Sequence, residues 1–178
     1  MNETTCHLSR PKSQLSILLF LSFFLGSSFM STADTKSANA SNEEVMMLRE
    51  HITGYAQNFV GLRYRYAGTS PSTGFDCSGF TSYILKEFDV RVSSCSSTQS
   101  KQGLRVDFED VTPGDLLFFG RSKGGIQHVA MVVERTEEGI FCVHSTSSRG
   151  IVVENISTSK YWKSRLLFAR DVISTQAN

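Results

Sequence analysis

Apolar residues follow a helical period early in this chain and short strand-like runs later, and that change predicts the architecture. Val45, Leu48, Ile52, Tyr55 and Phe59 fall three to four positions apart, which predicts a helix over 42–58 with one apolar face. Ser41 followed by Glu44 has capping-box spacing at its start. GLRYRYAGTSPSTG, residues 61–74, is an aromatic segment running into a Gly/Ser/Pro loop. A second helix is predicted over 76–87, with Phe80, Ile84 and Phe88 on one side and Asp76 as its N-cap. The polar run VSSCSSTQSKQG, residues 92–103, reads as a loop plus a short helix. After the VTPGD turn come LLFFG, HVAMVVE, GIFCVHST, IVVENIS and RLLFARDVI, rich in β-branched and aromatic residues and separated by turn-like stretches. Helices first and strands afterwards predict an α+β domain with an antiparallel sheet, not alternating βαβ units.

The first residues break this pattern. Arg10 and Lys12 precede an apolar run from Leu15 to Met30, and the small, polar STADTKSANAS follows. That order predicts a signal peptide over 1–33, with Ala40 as a later cleavage alternative, and an exported, periplasmic or envelope-associated product. A linker over 34–41 and a domain over 42–178 follow from this division. The sixteen-residue run is shorter than the roughly 20 a membrane span needs, so no stable membrane insertion is expected after cleavage. Cys6 lies ahead of the run and no cysteine follows it closely, which argues against a lipid-attachment site.

Composition changes the picture only a little. With 178 residues, 40% of them hydrophobic, the chain suits one core plus an extension, and no internal repeat is visible. Its net charge of +1, with basic residues scattered, argues against nucleic acid as a partner. Without residues 1–40 the chain keeps fifteen basic and fifteen acidic residues and three cysteines, Cys77, Cys95 and Cys142. An odd count in an oxidising compartment leaves at least one thiol free or paired between chains, while a Cys95–Cys142 bridge stays open.

Cys77, in GFDCSGF, has four possible roles: core residue, disulfide half, metal ligand or nucleophile. The chain has no C-x-x-C and no H-x₃₋₅-H pair, against zinc or a thioredoxin-like redox role, so no metal and no cofactor are expected. A position in the first turn of a helix favours the nucleophile, because unpaired N–H groups stabilise a thiolate. Gly74 and Gly79 remove side chains where a substrate or a sheet comes close. A nucleophile needs a base and the base an orienter. His7 lies in the signal and His51 on the first helix, which leaves His128 and His144, sixteen residues apart on two strands. An even separation puts both on one face, and a bulge-free hairpin folded near residue 136 pairs them directly. The next pair inward is then Ala130 with Cys142, small enough to seat the helix that carries Cys77. A small core cysteine and two satisfied sheet histidines are the plainer reading of the same positions.

The segments GLRYRYAGTSPSTGFDCSGF, VTPGDLLFF, HVAMVV and FCVHSTSSRGI, in this order over about 45–173, resemble the NlpC/P60 family of cell-wall cysteine peptidases. Within it, the chain is similar to the small, single-domain spr-type murein endopeptidases. The resemblance implies a papain-like α+β fold, with Cys77 as nucleophile, His128 as base and His144 orienting the base. It also implies that Tyr64 steadies the oxyanion, and Asp76 and Ser78, flanking the nucleophile, are expected beside it on the substrate-lining side. The implied substrate is peptidoglycan, cut at amide bonds of murein stem peptides or cross-links. Two departures stand out: Ser93-Ser94 where many relatives carry Pro-Arg, and Ala67-Gly68 in place of Gly-Gly. A non-catalytic wall-binding or regulatory module, or a papain-like acyltransferase or amidase on another substrate, are the alternative functions.

Overall fold

A computed structural model describes residues 32–121 and 125–174. Residues 1–31, and with them the apolar run of the expected signal, lie outside the described residues. Along the chain come α1 (Thr32–Gln57), β1 (Thr69–Ser70), β2 (Gly74–Phe75), α2 (Cys77–Lys86), α3 (Ser96–Gln99) and β3 (Leu104–Val106). Then follow β4 (Leu116–Gly120), β5 (Ile126–Thr136), β6 (Gly139–Thr146), β7 (Gly150–Asn155), α4 (Lys160–Lys163) and β8 (Leu166–Asp171). Five of these strands correspond to the five apolar runs. The pairs β1–β2, β3 and α4 are too short to show a period.

α1 begins at Thr32, ten residues before the expected start. The segment expected as a linker, 34–41, is therefore helical. No glycine or proline interrupts residues 32–53, and Ala33, Ala38 and Ala40 carry high helix propensity through the stretch. The Ser41–Glu44 spacing thus falls inside a helix and not at its start.

Six strands form one antiparallel sheet in the order β3-β8-β4-β5-β6-β7. All of β4 is buried, because both faces of the sheet are covered, and its run LLFFG accordingly shows no polar alternation. Leu116 and Phe118 face one core together with Val129, Met131, Val143, Ile52 of α1 and Phe80, Ile84 and Leu85 of α2. Leu117 and Phe119 face the other, with Ala130, Val132, Cys142, Ile156 and Ala169. α2 therefore does not rest on Ala130 and Cys142; it packs on the opposite face, through its larger residues.

The β5–β6 hairpin corrects the expected register. Its turn is Glu137-Glu138, so Thr136 pairs with Gly139 and Glu134 with Phe141. A bulge between Val132 and Glu134 then shifts the ladder, giving Val132 with Cys142 and Met131 with Val143. Extended one step beyond its end at Met131–Val143, that register would set His144 against Ala130, with His128 diagonal to it. The slipped turn alone would have put the two histidines on opposite faces, since one residue reverses every side chain. The bulge restores the parity. Pairing of β5 with β6 runs from Met131 to Thr136, while β5 pairs β4 through Ile126. The two strands part just where His128 sits.

Candidate functional site

The turn that carries Cys77 is held from two sides. On one, Tyr64 bridges to Phe75, and the Asp76 N–H donates to the Gly68 carbonyl at 3.0 Å. A Cβ on Gly79 would collide with that same carbonyl oxygen. The close neighbour that requires glycine is therefore the aromatic segment, neither substrate nor the large sheet. On the other side, Ser145 Oγ of β6 donates to the Phe75 carbonyl at 2.7 Å. Asp76 caps α2 by accepting from the Gly79 N–H at 2.7 Å, a contact worth roughly 1 kcal/mol. Ser78 is buried and donates to the Ser94 carbonyl at 2.8 Å. Both Asp76 and Ser78 thus serve the helix start, and neither lines the cleft, which corrects that expectation. Ser93 and Ser94 also belong to this supporting layer.

The backbone N–H groups of Val129, Ser78 and Cys77 lie around the Cys77 sulfur and favour its anion. Burial outweighs them and pushes the thiol above its ordinary value. A cleft of about 530 Å³ is lined by Cys77, His128 and Tyr64, with Arg149, Trp162 and Arg165 among its walls. His144 is fully buried behind it, with Nδ1 2.8 Å from Nε2 of His128. The cleft therefore gathers Cys77, His128 and Tyr64, and His144 backs His128. Among the described residues the sulfur makes no hydrogen bond to either ring. Burial, then the neighbouring His144, pulls His128 down to about 3, so its imidazole is neutral in the free protein. Burial lowers His144 as well, against an opposing pull from Glu154.

Several groups here escaped the sequence reading. Glu154 accepts from Trp162 Nε1 at 3.0 Å and lies 2.8 Å from His144 Nε2. Arg149 pairs with the same carboxylate. The Trp162 indole stacks on His128 with centroids 4.6 Å apart and planes at 26°. Arg165 lies over the Tyr161 ring at 3.9 Å. Glu154 was within reach of the pattern: folding β6 onto β7 about Ser147–Arg149 sets it opposite Cys142, on the histidine face. Trp162 sits on a four-residue helix and gave no periodic signal. Cys77 and Cys142 are free thiols, and no bridge joins Cys95 to Cys142. Cys142 is buried in the second core, where burial raises its pKa.

A cysteine heading a helix on an antiparallel sheet, beside a strand histidine, defines the papain-like α+β class. Residues 61–171 match the model of the NlpC/P60 family, and the chain belongs to that family. It is 34% identical over 131 residues to gamma-DL-glutamyl hydrolase of Bacillus subtilis (strain 168), covering 72% of this chain and 31% of that protein. It is 29% identical over 149 residues to murein DD-endopeptidase MepS/murein LD-carboxypeptidase of Escherichia coli (strain K12), covering 80% of this chain and 76% of that one. A crystal structure of an NlpC/P60 family protein from Bacillus cereus ATCC 10987 has a TM-score of 0.64 and 32% identity, covering 70% of this chain and 40% of that one. The chain thus spans under half the length of two of these three relatives.

Proposed function

We propose that this protein is an exported cysteine endopeptidase that cleaves amide bonds in peptidoglycan stem peptides or cross-links. One observation carries the reading: a thiol with three backbone N–H groups around it shares a cleft with an imidazole braced by a second imidazole. The names of the relatives, murein DD-endopeptidase and gamma-DL-glutamyl hydrolase, support the substrate class. The charged, apolar and small-residue order of residues 10–40 supports export.

Since both partners are neutral before substrate arrives, His128 acts as a general base. With Nε2 facing His144, Nδ1 takes the thiol proton as the sulfur attacks the scissile carbonyl carbon. The backbone N–H of Cys77 and the Tyr64 hydroxyl donate to the oxyanion, a type of contact worth roughly 2.7–4 kcal/mol in the barrier. His128 returns the proton to the leaving nitrogen as the C–N bond breaks, leaving a thioester. Water then gives a proton to His128, attacks the thioester, and the thiol is re-formed. Arg149 and Arg165 on the cleft wall supply counter-charge for free carboxylates of an acidic stem peptide, in place of an arginine at 93–94. Cys77→Ala is expected to abolish release of muropeptide fragments, read by mass spectrometry, with unfolding behaviour close to the parent. Continued cleavage by that variant refutes the assignment.

A further inference from the structure

We propose that Glu154 is a positioning residue that fixes the proton arrangement of both imidazoles and so keeps Nδ1 of His128 as the bare, basic nitrogen. One chain of hydrogen bonds links the carboxylate to both rings. Oε1 of Glu154 meets three groups: Trp162 Nε1 at 3.0 Å, Arg149 Nη2, and His144 Nε2 at 2.8 Å. Tryptophan and arginine can only donate. Burial opposes the carboxylate charge, but the hydrogen bonds from His144, Trp162 and Arg149 together outweigh it and hold Glu154 ionised. An ionised carboxylate only accepts, so His144 must carry its proton on Nε2. With no exposed surface and a lowered pKa, His144 holds a single proton. Its Nδ1 is then a lone pair, and the 2.8 Å contact to His128 Nε2 requires the N–H on the His128 side. His128 is neutral too, which leaves its Nδ1 unprotonated.

The same oxygen acts by a second route. It anchors the indole of Trp162, and that indole covers one face of His128 at 4.6 Å. One carboxylate therefore sets both the proton positions and the ring plane of the base. The dependence is directional: reversing one proton at His144 would reverse the proton at His128 and occupy the nitrogen that must receive the thiol's. An orienter that holds the wrong tautomer costs an imidazole base far more than a lost contact does.

Long-range ¹H–¹⁵N correlation of the full chain, without substrate, tests the arrangement directly. Nδ1 of both His128 and His144 is expected to show the shift of a bare nitrogen, and Nε2 of both the shift of a protonated one. A protonated Nδ1 on either ring overturns the proposal. Glu154→Leu removes the acceptor and is expected to mix the tautomers and lower kcat roughly 10–100-fold, with a smaller change in KM. Glu154→Gln keeps an acceptor oxygen and is expected to hold the tautomers, losing less than about 10-fold. Unmixed tautomers with parental kcat in Glu154→Leu would also overturn it. The kinetic arm rests on the peptidase reading; the resonance arm does not, so failure of one is distinguishable from failure of the other.

Discussion

Two clusters of charged and polar groups are built into this domain from similar parts, and they end differently. In the first, Arg49 of α1 reaches Asp115 at 2.8 Å and Asp171 at 2.7 Å. Its Nη1 also donates to the Pro113 carbonyl and its Nη2 to Ser174 Oγ. Asp115 also accepts from the Thr112 N–H, and Asp171 from the N–H groups of Ile173 and Ser174. Both Nη atoms of Arg49 and both oxygens of Asp115 are thus answered by protein. The second runs from Arg149 and Trp162 through Glu154 and His144 to His128, and its last ring nitrogen faces a cleft. A closed network ties a helix to a sheet; an open-ended one can exchange a proton with a substrate.

Breaking the closed network is expected to have the largest effect on stability. Arg49→Met leaves the Asp115 carboxylate, 1% exposed, without its counter-charge. The expected loss is about 3–5 kcal/mol in urea unfolding, with kcat/KM per folded molecule unchanged. A loss below about 1 kcal/mol would mean that α1 is held by apolar contacts alone.

pH acts with opposite sign on His128 and on Asp115. An unfolded histidine titrates near 6.5, whereas His128 in the fold titrates near 3. The unfolded chain therefore binds more protons between those values, and stability falls as pH falls through that window, by up to about 1.4 kcal/mol per pH unit for the one proton. Asp115 behaves oppositely: burial raises its carboxyl above the ordinary range, so it gains stability as pH falls through its folded value. His128→Phe should reduce the first slope, which His144 shares because burial lowers it too, and leave the second. An unchanged slope in His128→Phe would assign the effect to other groups.

The smallest effect is expected at the rim of the cleft. Arg165 is partly exposed, and a screened contact with a substrate carboxylate is worth up to about 1 kcal/mol. Arg165→Leu should raise KM for an acidic stem peptide up to roughly five-fold and leave an amidated version of that peptide unaffected. Equal changes for both substrates would give Arg165 a packing role.

Periodicity located α2 to within a residue at each end, because Asp76 is a strong cap and Phe80, Ile84 and Leu85 make a clean apolar face. It located five strands for the same reason. It missed the N-terminal extension of α1, and it missed Arg49 inside the helix face. The histidine pair was placed on one face through an assumed hairpin centre near 136 and no bulge, and the fold reaches that face by another path. A turn one residue or more away and a bulge at Val133 cancel in parity, though not in pairing.

By itself the sequence determined the class of fold, the helix that presents Cys77, the strands that carry His128 and His144, and the family motifs at residues 61–171. These are local properties: caps, apolar periods and turns are written within a few residues of where they act. Only the tertiary structure decided that α2 packs through its apolar residues on the core opposite Ala130 and Cys142, and that Cys77 and His128 line one cleft. It alone brought Glu154, Arg149 and Trp162 to one oxygen. Such contacts join strands and helices far apart in the chain, and their geometry depends on bulges and strand splay that leave no periodic trace.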